Sequence, residues 1–417
     1  METSSFRLHA LLICCIAIAA CSQTTELSRF QYTPSINSVP ERGAGPLTYR
    51  VLHSFPADDT DGNYPIGGLV RVGDAFYGTT SGGGAFGDGT VFSITTGGSE
   101  KVLHSFGKGA DGQYPYAGLV DMGGTLYGTT GYGGAHNYGT VFSITTEGME
   151  KVLHSFGRGA DGELPSENLI DVGGRLYGTT ENGGTNYCGA SNDGCGTVFS
   201  VTADGTERVL HSFGKGTDGR FAAASLTYAN GTLFGTTIRG GRYYFGTVFS
   251  ITTDGKEKVL HSFGKGSDGA NPAYTSLIAV NGTLYGTTEG GGTHHNSGTV
   301  FRVTRAGSER VLHSFGEGTD GNFPAGGLID VGGTIYGTTI GGGTNYCGPN
   351  ADGCGTLYGV TTGGREKVLH NFGKGTDGNG PIDNLIYEGG SLFGVTQAGG
   401  VHSNPQVIGG TVFSLAP

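Results

Sequence analysis

One tetrad, Leu-His-Ser-Phe with Asn for Ser in the last copy, recurs seven times and governs what this chain can fold into. Its histidines are His53, His104, His154, His211, His261, His313 and His370, spaced by 51, 50, 57, 50, 52 and 57 residues. Each interval of 57 contains a pair of cysteines, so the longer spacing is a local insertion on a period of about 50 residues. A second block, Gly-Thr-Val-Phe or a close variant, begins at Gly89, Gly139, Gly196, Gly246, Gly298, Gly355 and Gly410. With repeats of this length, a prior of about 150 residues per domain does not count the domains of a 417-residue chain. Glycine supplies 85 residues, yet only 13 prolines accompany them and there is no three-residue period, which excludes collagen. Charged residues make up 14% and the net charge is −11 with no Lys/Arg run, so nucleic acid is excluded as a partner.

Each repeat reads as four strands. In the second, Tyr116 to Met122 is short and apolar; Thr125-Leu126-Tyr127-Gly128-Thr129-Thr130 follows a Gly-Gly turn; Gly139 to Thr145 follows a glycine-rich loop; Glu150 to Phe156 ends the unit. Helical periodicity is absent from the mature chain. Four antiparallel strands every 50 residues or so predict an all-β fold, a seven-bladed β-propeller of four-stranded antiparallel blades. The repeats open with a lone fourth strand, Leu47 to Phe55, and close after a third strand, Gly410 to Leu415. Pairing the two would complete the last blade with the N-terminal strand and remove an open sheet edge. The alternative is an open superhelical solenoid with two unsatisfied ends.

These blocks together, Gly-Thr-Val-Phe with a Leu-His-Ser-Phe strand and a Leu-Tyr-Gly-Thr-Thr strand, resemble the GloVer tandem repeat of Gloeobacter- and Verrucomicrobia-type exported proteins. The resemblance covers residues 47–417, with variants at Gly355-Thr356-Leu357-Tyr358 and Leu392-Phe393-Gly394-Val395-Thr396. It implies a cell-envelope or secreted location and supplies no catalytic residues. Kelch propellers are a weaker similarity, through Gly-Gly doublets; there is no tryptophan for the Trp-dependent propeller signatures.

The apolar run Ala10 to Ala20 has the length of a signal-peptide core and is too short to span a bilayer. Ile18-Ala19-Ala20-Cys21 resembles a bacterial lipobox, which makes Cys21 the expected lipidation site and a lipid anchor the only expected contact with a membrane. Ordinary cleavage near Ala19, releasing a secreted or periplasmic product, is the alternative. The expected layout is a signal peptide over 1–20, a tether over 21–46 and the propeller over 47–417. Cys188 with Cys195 and Cys347 with Cys354 form two copies of one motif. Each pair most simply closes its own loop as a disulfide, in keeping with export; a zinc site would want closer spacing and further ligands.

In the usual propeller path the links from strand two to three and from strand four to the next blade share one face. Here those links are the long, variable ones, so function is expected on that face. Each link after a fourth strand carries Asp-Gly, which caps a turn without any ligand. Blade one adds Asp58 and Asp59 to Asp61 and is the weak candidate for a cation. The tetrad histidine, present seven times, reads as structural, sharing a strand face in the second repeat (His154) with Val152 and Phe156. More informative is what breaks the sevenfold pattern: Tyr132, His136 and Tyr138; Arg239, Arg242, Tyr243 and Tyr244; His294 and His295, with Tyr187, Phe245, Tyr346 and His402 beside them. Aromatic rings next to amides and guanidinium groups suit sugars or peptides; alternatively they pack the loops together. Where the inner strands leave this face, Glu167 and Asp383 interrupt a run of Gly and Ala. They are an acid–base pair or solvated carboxylates at the channel mouth.

The sequence therefore leads to an exported monomer that binds an extracellular glycan or protein on its long-loop face, with no cofactor. The alternatives are a polysaccharide-active hydrolase or lyase using Glu167 and Asp383, or a purely structural envelope protein.

Overall fold

The computed structural model describes residues 47–56, 61–157, 160–188, 194–274, 276–347, 353–382, 384–401 and 409–416. All regular structure among them is β, and no helix is long and apolar enough to cross a membrane. Seven sheets form a ring, each with its strands in sequence order from hub to rim. In blade two these are Val120–Met122, Thr125–Thr130, Thr140–Thr145 and Glu150–Ser155. The seventh blade takes its outer strand from the other end of the chain: Thr48 pairs with Ala416, Tyr49 with Leu415 and Ser54 with Thr411. The chain is a seven-bladed propeller closed by its own N-terminal strand.

The recurring motifs are the contacts that hold the blades. In Tyr-Gly-Thr-Thr the second threonine meets the threonine of Gly-Thr-Val-Phe through a buried hydroxyl pair, Thr130 to Thr140 at 2.8 Å, repeated in all seven blades. In the first four blades the first threonine reaches the next blade: the Thr79 hydroxyl donates to the Ala117 carbonyl at 2.7 Å and that of Thr129 to the Glu167 carbonyl at 3.2 Å. Glycine precedes them because a Cβ on Gly128 would lie 2.7 Å from the ring of Phe142. The tetrad phenylalanine is fully buried in every copy and sets its ring edge-on to an aromatic of the following blade. Phe55 with Phe92 (5.1 Å) and Phe106 with Phe142 (5.0 Å) are two of seven such pairs. The core consequently lies between blades. One cluster joins Val70, Tyr77, Val91 and Phe106 of blade one to Leu119, Leu126, Phe142 and Ile144 of blade two.

Two local expectations need correction. The inner strand of blade two is Val120–Met122, shorter than Tyr116 to Met122. Near the hub neighbouring chains close in, so that a Cβ on Gly118 would lie 2.6 Å from the Gly68 carbonyl oxygen; there the Ala117 carbonyl bonds a threonine hydroxyl in place of a strand neighbour. Period-two alternation also fails in the outer strand. A register shift between Val152 and His154 recurs in every blade, leaving the tetrad leucine as a bulge. Leu153, rather than Val152, therefore packs with Phe156 between blades.

Candidate functional site

The two long links of each blade do share one face. The link entering a blade pairs with the link between its second and third strands: Gln113 with Tyr132 in blade two, Gly162 and Glu163 with Gly183 and Asn182 in blade three. The entering link holds a bulky residue in the left-handed region, Tyr64 (φ 54°), Tyr114 (55°), Leu164 (59°), Phe221 (60°), Asn271 (53°) and Phe323 (54°), with Gly380 (57°) in the last blade. This conformation costs an L-residue about 1–2 kcal/mol. It is held because the residue stitches two blades: the Tyr114 amide donates to Asp88 of the preceding blade while its carbonyl accepts from Gly131 of its own.

On this platform the irregular residues divide. Tyr132 packs beside Tyr114 and Tyr116, with ring centroids 6.1 and 6.4 Å away, and Tyr138 packs on the core between blades two and three. His136 and His295 are exposed, and His294 lies 3.7 Å from Glu317. The blade-four loop sets exposed rings next to cations. Tyr244 is 68% and Phe245 44% exposed; the Arg242 guanidinium sits 5.7 Å from the Tyr243 ring; Arg239 donates to the Asn271 amide oxygen at 2.7 Å. Tyr187 and Tyr346 stand out from blades three and six, each followed by its disulfide, Cys188–Cys195 and Cys347–Cys354. Phe86, 51% exposed on the matching loop of blade one, is a further aromatic that the sequence reading passed over. Its signal was position alone, within a loop of glycines.

Below this face, between the outer strands of neighbouring blades, lies a feature made of the repeat itself. Each tetrad histidine turns its Nε2 to the Asp of the following Asp-Gly, at 2.9–3.3 Å in the seven units. A carboxylate oxygen of that Asp also accepts a backbone amide of the turn, as Asp111 does from Gly107 at 3.1 Å and Asp161 from Gly157 at 2.9 Å. The expected turn cap is present, and it orients a histidine as well. The next blade adds the glutamate that opens its own outer strand. Burial pushes Glu100, Glu150, Glu207, Glu257 and Glu309 up to about 7, the neighbouring aspartate adding to this, and Glu366 is raised for the same reason. In four units one atom from each side chain comes within 4.8 Å of the others: His53, Asp61 and Glu100; His154, Asp161 and Glu207; His211, Asp218 and Glu257; His261, Asp268 and Glu309. At the ring closure Tyr49 replaces the glutamate, stacked 4.0 Å from His370, its phenol pushed upward by burial and then by Asp377.

Two inter-blade grooves open onto these clusters. One, of about 870 Å³, lies at the closure beside Tyr49, His53, His370, Lys374 and Asp377. The other, of about 360 Å³, joins the irregular loop to the repeat: Arg242 and Tyr243 stand over His261, Lys265, Asp268 and Glu309. The structure thus brings Arg242 and Tyr243 to one site and leaves His136, His294 and His295 on other blades.

Glu167 is not a solvated channel carboxylate. It is 1% exposed, with Ser225 of blade four 3.4 Å from its Oε2, while Asn168 beside it accepts from the Gly118 amide at 2.6 Å. Asp383, the other half of that pair, lies outside the described residues, as do Asp58, Asp59, His402 and Cys21.

No curated protein sequence matches the chain significantly. Among solved structures it is similar to a Xanthomonas campestris gluconolactonase (13% identity, TM-score 0.39, covering 70% of this chain and 85% of that one). It is also similar to a Bacteroides thetaiotaomicron protein of unknown function (12%, 0.43, 90% and 98%) and to a europium-containing methanol dehydrogenase (11%, 0.47, 88% and 93%). At these scores the likenesses carry no functional argument. The model of the Gloeobacter/Verrucomicrobia repeat matches residues 41–192 and 188–350, most of the chain, and with seven copies of that unit closed into a ring the protein belongs to this repeat family.

Proposed function

We propose that the protein is an extracytoplasmic binding module that recognises a glycan or peptide on its long-loop face, with the blade-four loop as the principal contact. The observation that carries this reading is the groove in which Arg242 and Tyr243 overhang Lys265 and His261, continued outward by the exposed rings of Tyr244 and Phe245. Aromatic faces cover the C–H surface of a sugar ring, and two cations beside them favour a ligand that carries carboxylate groups. Adjacent exposed rings, unlike rings scattered singly, mark an interaction surface. Phe323, 40% exposed, adds a further ring at the same face. The two disulfides support an oxidising compartment, and lipidation at Cys21 would tether the ring to a membrane.

A glycan array that includes uronic-acid oligosaccharides and acidic peptides tests the reading, followed by calorimetry on the strongest hit. Replacing both Tyr243 and Tyr244 with Ala should weaken binding at least about tenfold, the loss of roughly 1.4 kcal/mol of ring contact. Binding unchanged by the double substitution would remove this loop from the site. Mass spectrometry of the mature amino terminus tests the anchor separately.

A further inference from the structure

The four His–Asp–Glu clusters are more than turn caps. We infer that each is a binding site for a first-row divalent cation of the Zn²⁺ type, clamping one blade to the next at the rim. In the cluster of His154, Asp161 and Glu207, the first two side chains come from blade two and its outgoing link, and the third from the outer strand of blade three. Three independent observations point to a cation. The first is the donor set, one imidazole nitrogen and two carboxylates, all ligand types that Zn²⁺ takes, with one imidazole fewer than the His₂Glu set of open zinc enzymes.

The second is spacing. His154 Nε2 and Asp161 Oδ2 are 3.3 Å apart, His53 with Asp61 and His261 with Asp268 are 3.3 and 3.2 Å apart, and His211 with Asp218, at 2.9 Å, would have to open by a few tenths of an ångström. Ligand atoms held about 2.0–2.2 Å from one tetrahedral ion stand roughly 3.3–3.5 Å from each other. The third is an unanswered acceptor. The Oε1 atoms of Glu100, Glu207, Glu257 and Glu309 are buried and have no hydrogen-bond partner, as is true of those of Glu150 and Glu366, and in the four clusters the carboxyl lies beside an imidazole and an aspartate. A carboxylate directed away from solvent toward another carboxylate is explained by a positive charge between them.

The seventh interface serves as a built-in comparison. There Tyr49 stands where the glutamate would be and stacks on His370, so that interface is held by ring contact and lacks the second carboxylate. Three of the sites stand apart from the blade-four groove, whereas His261, Asp268 and Glu309 line it, so the Glu207 variant is the one that tests the metal without touching the proposed ligand site.

The test is calorimetric titration of EDTA-stripped protein with ZnCl₂, with bound zinc counted by inductively coupled plasma mass spectrometry. Four equivalents are expected, three in Glu207→Gln and two in Glu207→Gln/Glu309→Gln. Six equivalents falling by one per substitution would also support the assignment, since His104, Asp111 and Glu150 and also His313, Asp320 and Glu366 repeat the residue set. Zinc K-edge absorption on the unsubstituted protein, which needs no variant to fold, should show nitrogen and oxygen ligands at about 2.0–2.2 Å and no sulfur. Less than one equivalent, sulfur in the coordination shell, or a stoichiometry undiminished in substituted protein with wild-type circular dichroism would overturn the proposal. The last result would assign the metal to surface histidines such as His136 and His295.

Discussion

The ring closure can be tested at a single side chain. Phe55 follows the N-terminal strand and is fully buried, packed with Val412, Val395 and Phe393 of blade seven and with Leu69, Phe76, Phe92 and Ile94 of blade one. Phe106 occupies the same place one repeat later, also 0% exposed, between blades one and two. Removing a phenylalanine ring from such a site costs about 3–5 kcal/mol, from lost transfer energy and from the cavity left behind. If the first strand completes blade seven, Phe55→Ala and Phe106→Ala should therefore be destabilising to the same degree, within about 1 kcal/mol of each other. If that strand were a loose end, Phe55 would have no core to leave and its substitution would cost under about 0.5 kcal/mol. Urea unfolding followed by far-ultraviolet circular dichroism separates the cases, because the chain has no tryptophan to report. A near-silent Phe55→Ala beside a costly Phe106→Ala would refute the closed ring and, with it, the assignment of partners across the blade-seven interface.

Three further outcomes follow from single contacts. Thr130→Val should cost about 1–3 kcal/mol in the same assay, because it leaves the buried Thr140 hydroxyl, 2.8 Å away, without its partner. Gly128→Ala should cost a similar amount, about 1–3 kcal/mol, by driving a methyl to 2.7 Å from the Phe142 ring, whereas Gly124→Ala, with open space around it and φ at 88°, should cost only the backbone strain of about 1–2 kcal/mol. Glu150, pushed up to about 7 by burial and then by Asp111, binds a proton in the folded chain that the unfolded chain has already released above about 4.5. Its contribution to stability is complete below that pH and is lost as the pH rises through 7. In EDTA, Glu150→Gln should therefore gain on the wild type between pH 5 and pH 8, and a constant difference across that range would show that the carboxyl titrates normally. His104, lowered by burial, shifts both proteins alike and drops out of the comparison.

The architecture was legible because its determinants recur. Six copies of Thr-Thr with Val395-Thr396 as the seventh, and seven of Gly-Thr-Val-Phe and Leu-His-Ser-Phe or their close variants, give seven copies of a hydroxyl pair, an aromatic contact and a histidine–aspartate bond, so any one copy could be checked against the others. The matched ends, a spare fourth strand before a missing one, foretold the pairing of Thr48–Ser54 with Thr411–Ala416. Face assignment was harder. The alternation rule that places His154 beside Val152 presumes an unbroken ladder, and the bulge at Leu153 breaks it. Nothing in Val-Leu-His-Ser announces that extra residue, since it comes from how the third and outer strands twist together.

The rim cluster was half legible, for a related reason. Asp161 lies seven residues from His154 in the chain, within reach of turn chemistry, so its role as a cap could be read from Asp-Gly alone. Glu207 lies 53 residues away and enters only because the next blade crosses behind, which a reading confined to one repeat has no means to register. A trace was nonetheless present: glutamate stands four residues before the histidine in six copies, and the single departure is Tyr49, in the strand that closes the ring. A charged residue kept at a position that points between blades, where solvation is poor, has to be answered by something in the neighbouring unit. The tyrosine answers it by stacking on His370, which needs no counter-charge. The glutamates have no such contact, so the positive charge they require must come from a proton or from a metal, and counting bound zinc with and without Glu207 distinguishes the two.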